Sequence, residues 1–320
     1  MKISYAYYEL FATHLLNSRS HATARKGALI RVILNSGAIG YADCHPWPEL
    51  GDLPVDVQLE MLAKGVRTRL TKCAIELALV DATLRLKKGD KWNTDRCPKS
   101  HFLITDLMSC SSRDIEKLVH QGFTHVKIKA GRHIQQEAEM LLAIFRDVPL
   151  KLRIDVNEML TDDQFYSFLN QIKGLKDQVD FIEDPFPYHP ANWAAIQNAG
   201  WKLACDRQAD AAANQQESAS ILILKPAIQS IFELPLNSAQ TCLVTSYLGH
   251  PLGQVAAAYI AAIIDPACLS VHGLLSHHAY QQTSFSSLLN WNGPRFHFPL
   301  GTGFGFDQEL EELDSTWRSL

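Results

Sequence analysis

The chain lacks most of the signatures that would announce a simple chemistry. Its seven cysteines, Cys44, Cys73, Cys97, Cys110, Cys205, Cys242 and Cys268, are odd in number and form no CxxC. That excludes a disulfide framework and a zinc ribbon, and implies reduced, buried thiols of a cytoplasmic protein. Thirteen histidines are scattered without an HExxH or an HxxxH. The adjacent His277 and His278 are expected to point apart at the surface. No apolar run approaches the roughly 18 residues of a membrane span, and MKISYAYYELFATHLLNS reads as a first strand rather than a secretory leader. A surplus of one charge is missing too. Thirty basic against 34 acidic residues give a net charge of −4, so neither nucleic acid nor an anionic membrane is an expected partner.

What is present is an ordinary globular balance, 47% apolar and 20% charged, over 320 residues, enough for two packed units. Up to about residue 97 the texture is strands, then helices. Ala28–Leu34 and Ala38–Asp43 flank Asn35-Ser36-Gly37, a hairpin signal. Val55–Leu86 turns helical, and CAIELALVDATLRLKKG stops on Lys87, Lys88 and Gly89. This predicts an α+β capping domain over 1–97, rejoined by the aromatic and Gly-rich segment 290–320.

From residue 98 to 289 short apolar runs recur: 102–106, 125–129, 151–155, 179–183, 202–206, 221–225, 241–245 and 268–272. Eight strands spaced roughly 20–30 residues apart, with helical patterns between them such as Gln135–Phe145 and Asp162–Ile172, predict an α/β fold, a TIM-type (β/α) barrel.

The strand ends carry the chemistry. In HVKIKAG, Lys127 and Lys129 share one face of a strand because side chains two apart point the same way. The next three strands end in Asp155, Glu183 and Asp206, and the sixth in Lys225. Three carboxylates converging at one barrel face need a cation among them, and an all-oxygen set favours Mg2+ over zinc. An ammonium beside other cations loses its proton more readily, so Lys127 would tune Lys129 toward a neutral amine base. A divalent ion flanked by a lysine suits removal of a proton next to a carboxylate. Arg153 lies two before Asp155, on the same strand face, and is a candidate for substrate contact. Taken singly, each feature has a plainer reading: Lys-x-Lys as a solvated strand face, Asp155 as a turn, Lys225-Pro226 as a strand closed by proline. Five successive strand ends with the right residue types outweigh those readings together. Trp47 and Trp201 read as packing.

The order KxK, DxN, ED, D and KP resembles the enolase superfamily, muconate lactonising subgroup. The compact length and KLRIDVNE are most similar to its o-succinylbenzoate synthase family. The likeness covers nearly the whole chain. It implies Asp155, Glu183 and Asp206 as Mg2+ ligands and Lys129 as the base that takes the α-proton and then helps the β-hydroxyl leave. It implies Lys225 as the group facing the enediolate, and Asn157 as a support for the ligands. It makes Arg25 of TARKG, near a mobile substrate loop, and Ser246 candidate contacts for a small-molecule carboxylate substrate. The implied reaction is a hydro-lyase step of menaquinone biosynthesis, syn elimination of water from a succinyl-bearing cyclohexadiene carboxylate. Rival outcomes are N-acylamino acid racemisation, dipeptide epimerisation, muconate cycloisomerisation, a barrel that only binds a ligand, and a Schiff-base aldolase using Lys225 or Lys129. Three departures mark a divergent member: Arg207 after Asp206 where glutamate is usual, no glycines after Lys225-Pro226, and Asp43 where glutamate is common. Oligomeric state has no signature in the sequence.

Overall fold

A computed structural model describes residues 1–320 apart from 17–19, 21, 88–96, 214–220, 231, 234–239 and 268. The expected helix stop at Lys88 and Gly89, and Cys268, lie outside the described residues.

The first strand β1 (Lys2–Phe11) pairs antiparallel with β2 (Ala24–Ile33), and β2 with β3 (Ile39–Cys44). The β2–β3 turn is the one expected from Asn35-Ser36-Gly37, with Gly37 at φ 85° where a side chain would be strained. Helices α1 (Val55–Ala63) and α2 (Arg69–Leu86) follow. α2 starts at a capping box between Thr68 and Thr71, and its buried Leu70, Ala74, Leu77 and Ala78 recur at helical spacing. The helix lies so close to β3 that a Cβ on Gly40 would fall 1.9 Å from the Ala78 carbonyl oxygen, and only glycine admits that approach. The carboxyl-terminal segment returns to this module. Arg318–Ser319 pairs with β1, and the buried Asp81 of α2 accepts the Phe304 N–H at 2.6 Å and Arg85 Nε at 2.7 Å.

A short strand β4 (Lys99–Ser100) precedes seven parallel strands that lie in sequence order across one curled sheet. These are β5 (Phe102–Ile104), β6 (His125–Lys129), β7 (Lys151–Asp155), β8 (Val179–Glu183), β9 (Leu203–Cys205), β10 (Ile221–Leu224) and β11 (Thr241–Val244). The eighth, β12 (Val271–His272), closes the ring. It pairs in parallel with β4, and Gly273 bridges to Thr245. All eight runs read from the sequence are strands, and helices α3 (Ser112–His120), α4 (Ile134–Phe145), α5 (Asp162–Gln171), α6 (Pro190–Asn198), α7 (Ala209–Ala213) and α8 (Pro251–Ile264) lie between them. The fold is a TIM-type barrel with an amino-terminal capping domain.

Alternation sorts the strand residues. Val126, Ile128, Leu152, Ile154, Ile182, Leu222 and Val244 join the core shared with the helices, including Leu141, Phe165, Phe168 and Trp193. Phe181, Ala204, Ile221, Ile223 and Leu243 form a separate plug inside the ring. The positions that follow this inner set by two residues, Glu183, Asp206, Lys225 and Thr245, therefore reach the mouth from inside.

Six cysteines fall in described residues and none is in a disulfide; four are buried and Cys110 and Cys242 are half-buried. His277 and His278 are not surface residues. His277 is buried against Gln254, and His278 stacks on Phe102 with centroids 4.4 Å apart. Their adjacency turned the rings apart (81°), but both directions lead into packed structure. Among the described residues no helix is long and apolar enough to cross a membrane.

Candidate active site

Strand register sets the depth of each side chain. Lys129 pairs with Asp155, and Asp155 with Glu183, so these three share the top row of the mouth. Lys127 pairs with Arg153, one row below. From there Lys127 Nζ reaches up between two acids, 2.6 Å from both Glu183 oxygens and 2.9 Å from Asp155 Oδ2. Lys129 Nζ lies 2.6 Å from the same Asp155 oxygen. Across the ring, Lys225 bonds Asp206. The three lysines and three acids thus converge, with every amine turned inward.

The charges respond to that crowding. Burial pushes the Asp155 acid up, but the Lys127 and Lys129 ammonium groups hold it well below the usual carboxylate range. Burial, then the charges of Asp155 and Asp206, push the Glu183 acid up to about 8. Burial lowers the Lys129 ammonium, and Lys127 and Lys225 add to the effect while Asp155 opposes it. Lys127 is raised, because Asp155 and Glu183 outweigh its burial.

The loops after the strands brace this set. Asn157, at φ 55°, donates its N–H to Asp155 Oδ1 at 3.1 Å. Asp184 is buried at φ 42°, and its two oxygens accept the N–H groups of Asp206 and Arg207, both at 3.0 Å. Arg207 pairs with Glu158, 2.8 Å from its carboxylate, while also lining the cavity above.

Above lies an open cavity whose walls include Lys127, Lys129, Asn157, Asp206, Lys225 and Ser246. Ser246 donates to Ser276 at 2.7 Å. Two candidates stand elsewhere. Arg153 is in the lower row, bonded to Asp180 at 2.8 Å, its plane 4.9 Å from the Phe181 ring. Arg25 is buried against Glu49 at 2.5 Å, over the Trp47 ring at 3.7 Å. Neither lines the cavity. Trp47 does, besides packing as expected in a buried cluster with Leu10, Leu16 and Tyr280: its indole N–H donates to the Tyr247 carbonyl at 3.0 Å, and its ring walls the pocket from the cap. Asp52 joins the same wall, accepting Tyr247 O–H at 2.8 Å. Trp201 is packing, with Lys176 5.6 Å above it.

The sequence reading also missed His101 and Thr245, both in the cavity wall. Strand parity carried the signal for each. Thr245 follows Leu243 by two residues, and His101 precedes Leu103, another wall residue, by two. Trp47 and Asp52 had no such signal, since their neighbour Tyr247 is some two hundred residues away in the chain.

The donor set fits a hard divalent ion in its chemistry: three carboxylates on consecutive strand ends, with more negative charge than Glu183 tolerates. As the side chains stand, the lysines hold the oxygens an ion would take, and among the described residues no three His, Cys, Asp or Glu side chains form a ready chelate.

Residues 3–84 match the family model described as O-succinylbenzoate synthase, N-terminal domain, and residues 111–220 match Enolase C-terminal domain-like. The o-succinylbenzoate synthase of Bdellovibrio bacteriovorus is 33% identical over 100% of this chain and 99% of its own. Two solved structures show the same fold at low identity. The N-succinyl Arg/Lys racemase of Bacillus cereus has a TM-score of 0.78 at 15% identity, covering 100% of both chains. The dipeptide epimerase of Enterococcus faecalis, complexed with Mg and the dipeptide L-Leu-L-Tyr, has 0.75 at 14%, covering 95% of this chain and 98% of that one.

Proposed function

We propose that this chain, which belongs to the o-succinylbenzoate synthase family of the enolase superfamily, dehydrates 2-succinyl-6-hydroxy-2,4-cyclohexadiene-1-carboxylate to o-succinylbenzoate. The observation that carries the reading is the pair of inward amines, Lys129 on β6 and Lys225 after β10, flanking the acids of the strands between them.

Asp155, Glu183 and Asp206 hold Mg2+ in this reading. Bound there, the ion would supply positive charge for the substrate carboxylate and for the second negative charge that grows as the α-proton leaves. Once released from Asp155, Lys129 is a buried amine whose proton is easily lost, and it takes the α-proton. The C–H electron pair moves into the carboxylate to give an enediolate. Lys129, now an ammonium on the same ring face, returns a proton to the β-hydroxyl. The C–O bond breaks, water leaves, and the ring becomes aromatic. Lys225 stands on the other face as a fixed positive charge beside the enediolate. Lys127 keeps the buried acids charged and in place, Asn157 steadies Asp155, and Ser246 offers a hydroxyl to the substrate. Arg25 and Arg153 act at one remove, by holding Trp47 and the lower row.

The test is to incubate purified protein with Mg2+ and the cyclohexadiene substrate and follow the absorbance of the aromatic product. Turnover above the spontaneous rate is expected, and its absence overturns the reading. Placement of amines on opposite sides of the ring also favours a second reading, racemisation of an N-acylamino acid or epimerisation of a dipeptide. Solvent deuterium entering the α-carbon of such a substrate with inversion would establish it.

A further inference from the structure

The acids and lysines occupy the arc from β6 to β10. The arc opposite, from β11 through β12 to β5, carries polar groups that the proposed reaction leaves unused. His101, between β4 and β5, is 4% exposed and lines the cavity. Its N–H donates to the His272 carbonyl at 2.9 Å and its own carbonyl accepts from Ser100 Oγ at 2.8 Å, so its backbone is fixed. Its Nδ1 lies 3.1 Å from Arg153 Nη1. A guanidinium only donates, so Nδ1 is the acceptor and the ring proton sits on Nε2. Burial, then the charges of Arg153 and Lys127, keep the ring neutral.

Nε2 packs at the edge of Gly273. A Cβ built there would fall 2.9 Å from Nε2 and 2.6 Å from Thr245 Cγ2. Only glycine fits so close to the two side chains, and Gly273 lines the cavity as they do. Thr245 Oγ1 is buried with no hydrogen-bond partner among the described residues, and His101 presents Nε2 beside it. A buried hydroxyl without a partner is costly, and an acceptor oxygen that reached it would also meet the imidazole N–H.

We propose that the His101 imidazole and the Thr245 hydroxyl form a seat for an acceptor oxygen on the succinyl arm of the substrate, its keto or its terminal carboxylate oxygen. The assignment rests on the functional reading above. The seat faces the acids across the ring, so the reacting carboxylate and the arm are held at opposite ends. Arg153 is then a positioning residue that acts through His101 by fixing its tautomer.

Titration calorimetry with Mg2+ present tests the seat on three ligands: o-succinylbenzoate, o-butanoylbenzoate, which keeps the keto group alone, and benzoate. Thr245→Val, which preserves shape, and His101→Phe should each weaken o-succinylbenzoate about tenfold while benzoate stays within about twofold. His101→Gln, which keeps an N–H donor, should recover most of the loss. A matching loss for o-butanoylbenzoate identifies the keto oxygen, and no loss there identifies the terminal carboxylate. In turnover, KM should rise with kcat changed less than about threefold. Equal losses for benzoate, or no loss for o-succinylbenzoate in either variant, overturn the seat. A protein that fails to dehydrate the substrate yet shows the arm-dependent losses loses its functional reading and keeps the seat; one that binds none of the three acids loses both.

Discussion

Lys127 Nζ lies 2.6 Å from both carboxylate oxygens of Glu183, although its backbone sits one row deeper in the barrel. Its long side chain makes it the counter-charge of a buried acid pair. Asp155 and Glu183 are both essentially inaccessible and stand side by side on neighbouring strands. Removing one partner from such a cluster leaves uncompensated charge, at a cost of about 3–5 kcal/mol. Lys127→Met should therefore unfold at lower urea in EDTA, and Mg2+ should restore part of the loss by replacing the missing positive charge. Identical unfolding curves for the variant and the parent in EDTA would remove Lys127 from this role.

Lys129 and Lys225 stand on different sides of the acids, and the proposed reaction gives them different tasks. Lys129→Ala should lower kcat by about 10²–10⁴-fold, the range of a general base, and abolish exchange of the substrate α-proton with solvent. Lys225→Ala should lower kcat comparably through lost charge stabilisation. Product affinity, measured by titration, should change far less in both. Wild-type α-proton exchange in Lys129→Ala would assign the base elsewhere.

The register explains what a linear reading could and could not see. Alternation in HVKIK and KLRID was enough to turn Lys127, Lys129, Arg153 and Asp155 inward. It could not tell depth. Two residues along a strand separate side chains by roughly 6.6 Å of barrel height, so Arg153 shares a face with Asp155 yet pairs with Asp180 below it. Lys127 overcomes the same offset because its ammonium is drawn up to Asp155 and Glu183, whereas Arg153, no shorter, is held below by Asp180 and the Val271 carbonyl. The cap wall was beyond reach for another reason. Asp52 accepts the Trp47 N–H locally at 2.9 Å, but it becomes a pocket residue through Tyr247, and no periodicity links positions so far apart.

Asp43 in the cap predicts a pH dependence. It is buried beside Tyr8, with Oδ1 2.5 Å from the phenol oxygen, and Oδ2 accepts the His250 N–H at 2.8 Å. Tyr8 in turn lies 2.8 Å from His45 Nδ1. Burial pushes Asp43 up to about 7, and burial pulls His45 down to about 3. Tyr8 O–H donates to the Asp43 carboxylate, and protonation of Asp43 reverses that bond and frees Tyr8 to donate to the neutral His45. Between the ordinary value of 3.8 and about 7 the folded state binds this proton more tightly than the unfolded chain. Stability from Asp43 is therefore full below the lower value and is lost as pH rises through the upper one. Asp43→Asn keeps the donor without the charge. Guanidinium unfolding should show the parent losing on the order of 2–4 kcal/mol between pH 4 and 8 relative to Asp43→Asn. Parallel pH profiles for the two proteins would place the charge elsewhere.

Arg207 follows Asp206, and its guanidinium lies 2.8 Å from Glu158, which is only 10% exposed. Both residues belong to loops that carry site groups: Glu158 follows Asn157, and Arg207 follows Asp206. The pair therefore ties the β7 loop to the β9 loop, while Asp184 clamps the backbone between them. Arg207→Glu would set a second carboxylate against Glu158, pushing the two loops apart. We expect a loss of about tenfold in kcat/KM, equal to roughly 1.4 kcal/mol. Combining it with Glu158→Arg reverses the polarity of the pair and should recover most of that loss. A double-mutant cycle on kcat/KM should return a coupling of about 0.5–3 kcal/mol. Simple additivity of the two changes would mean that the loops are positioned without this pair, and that Arg207 is neutral for the site.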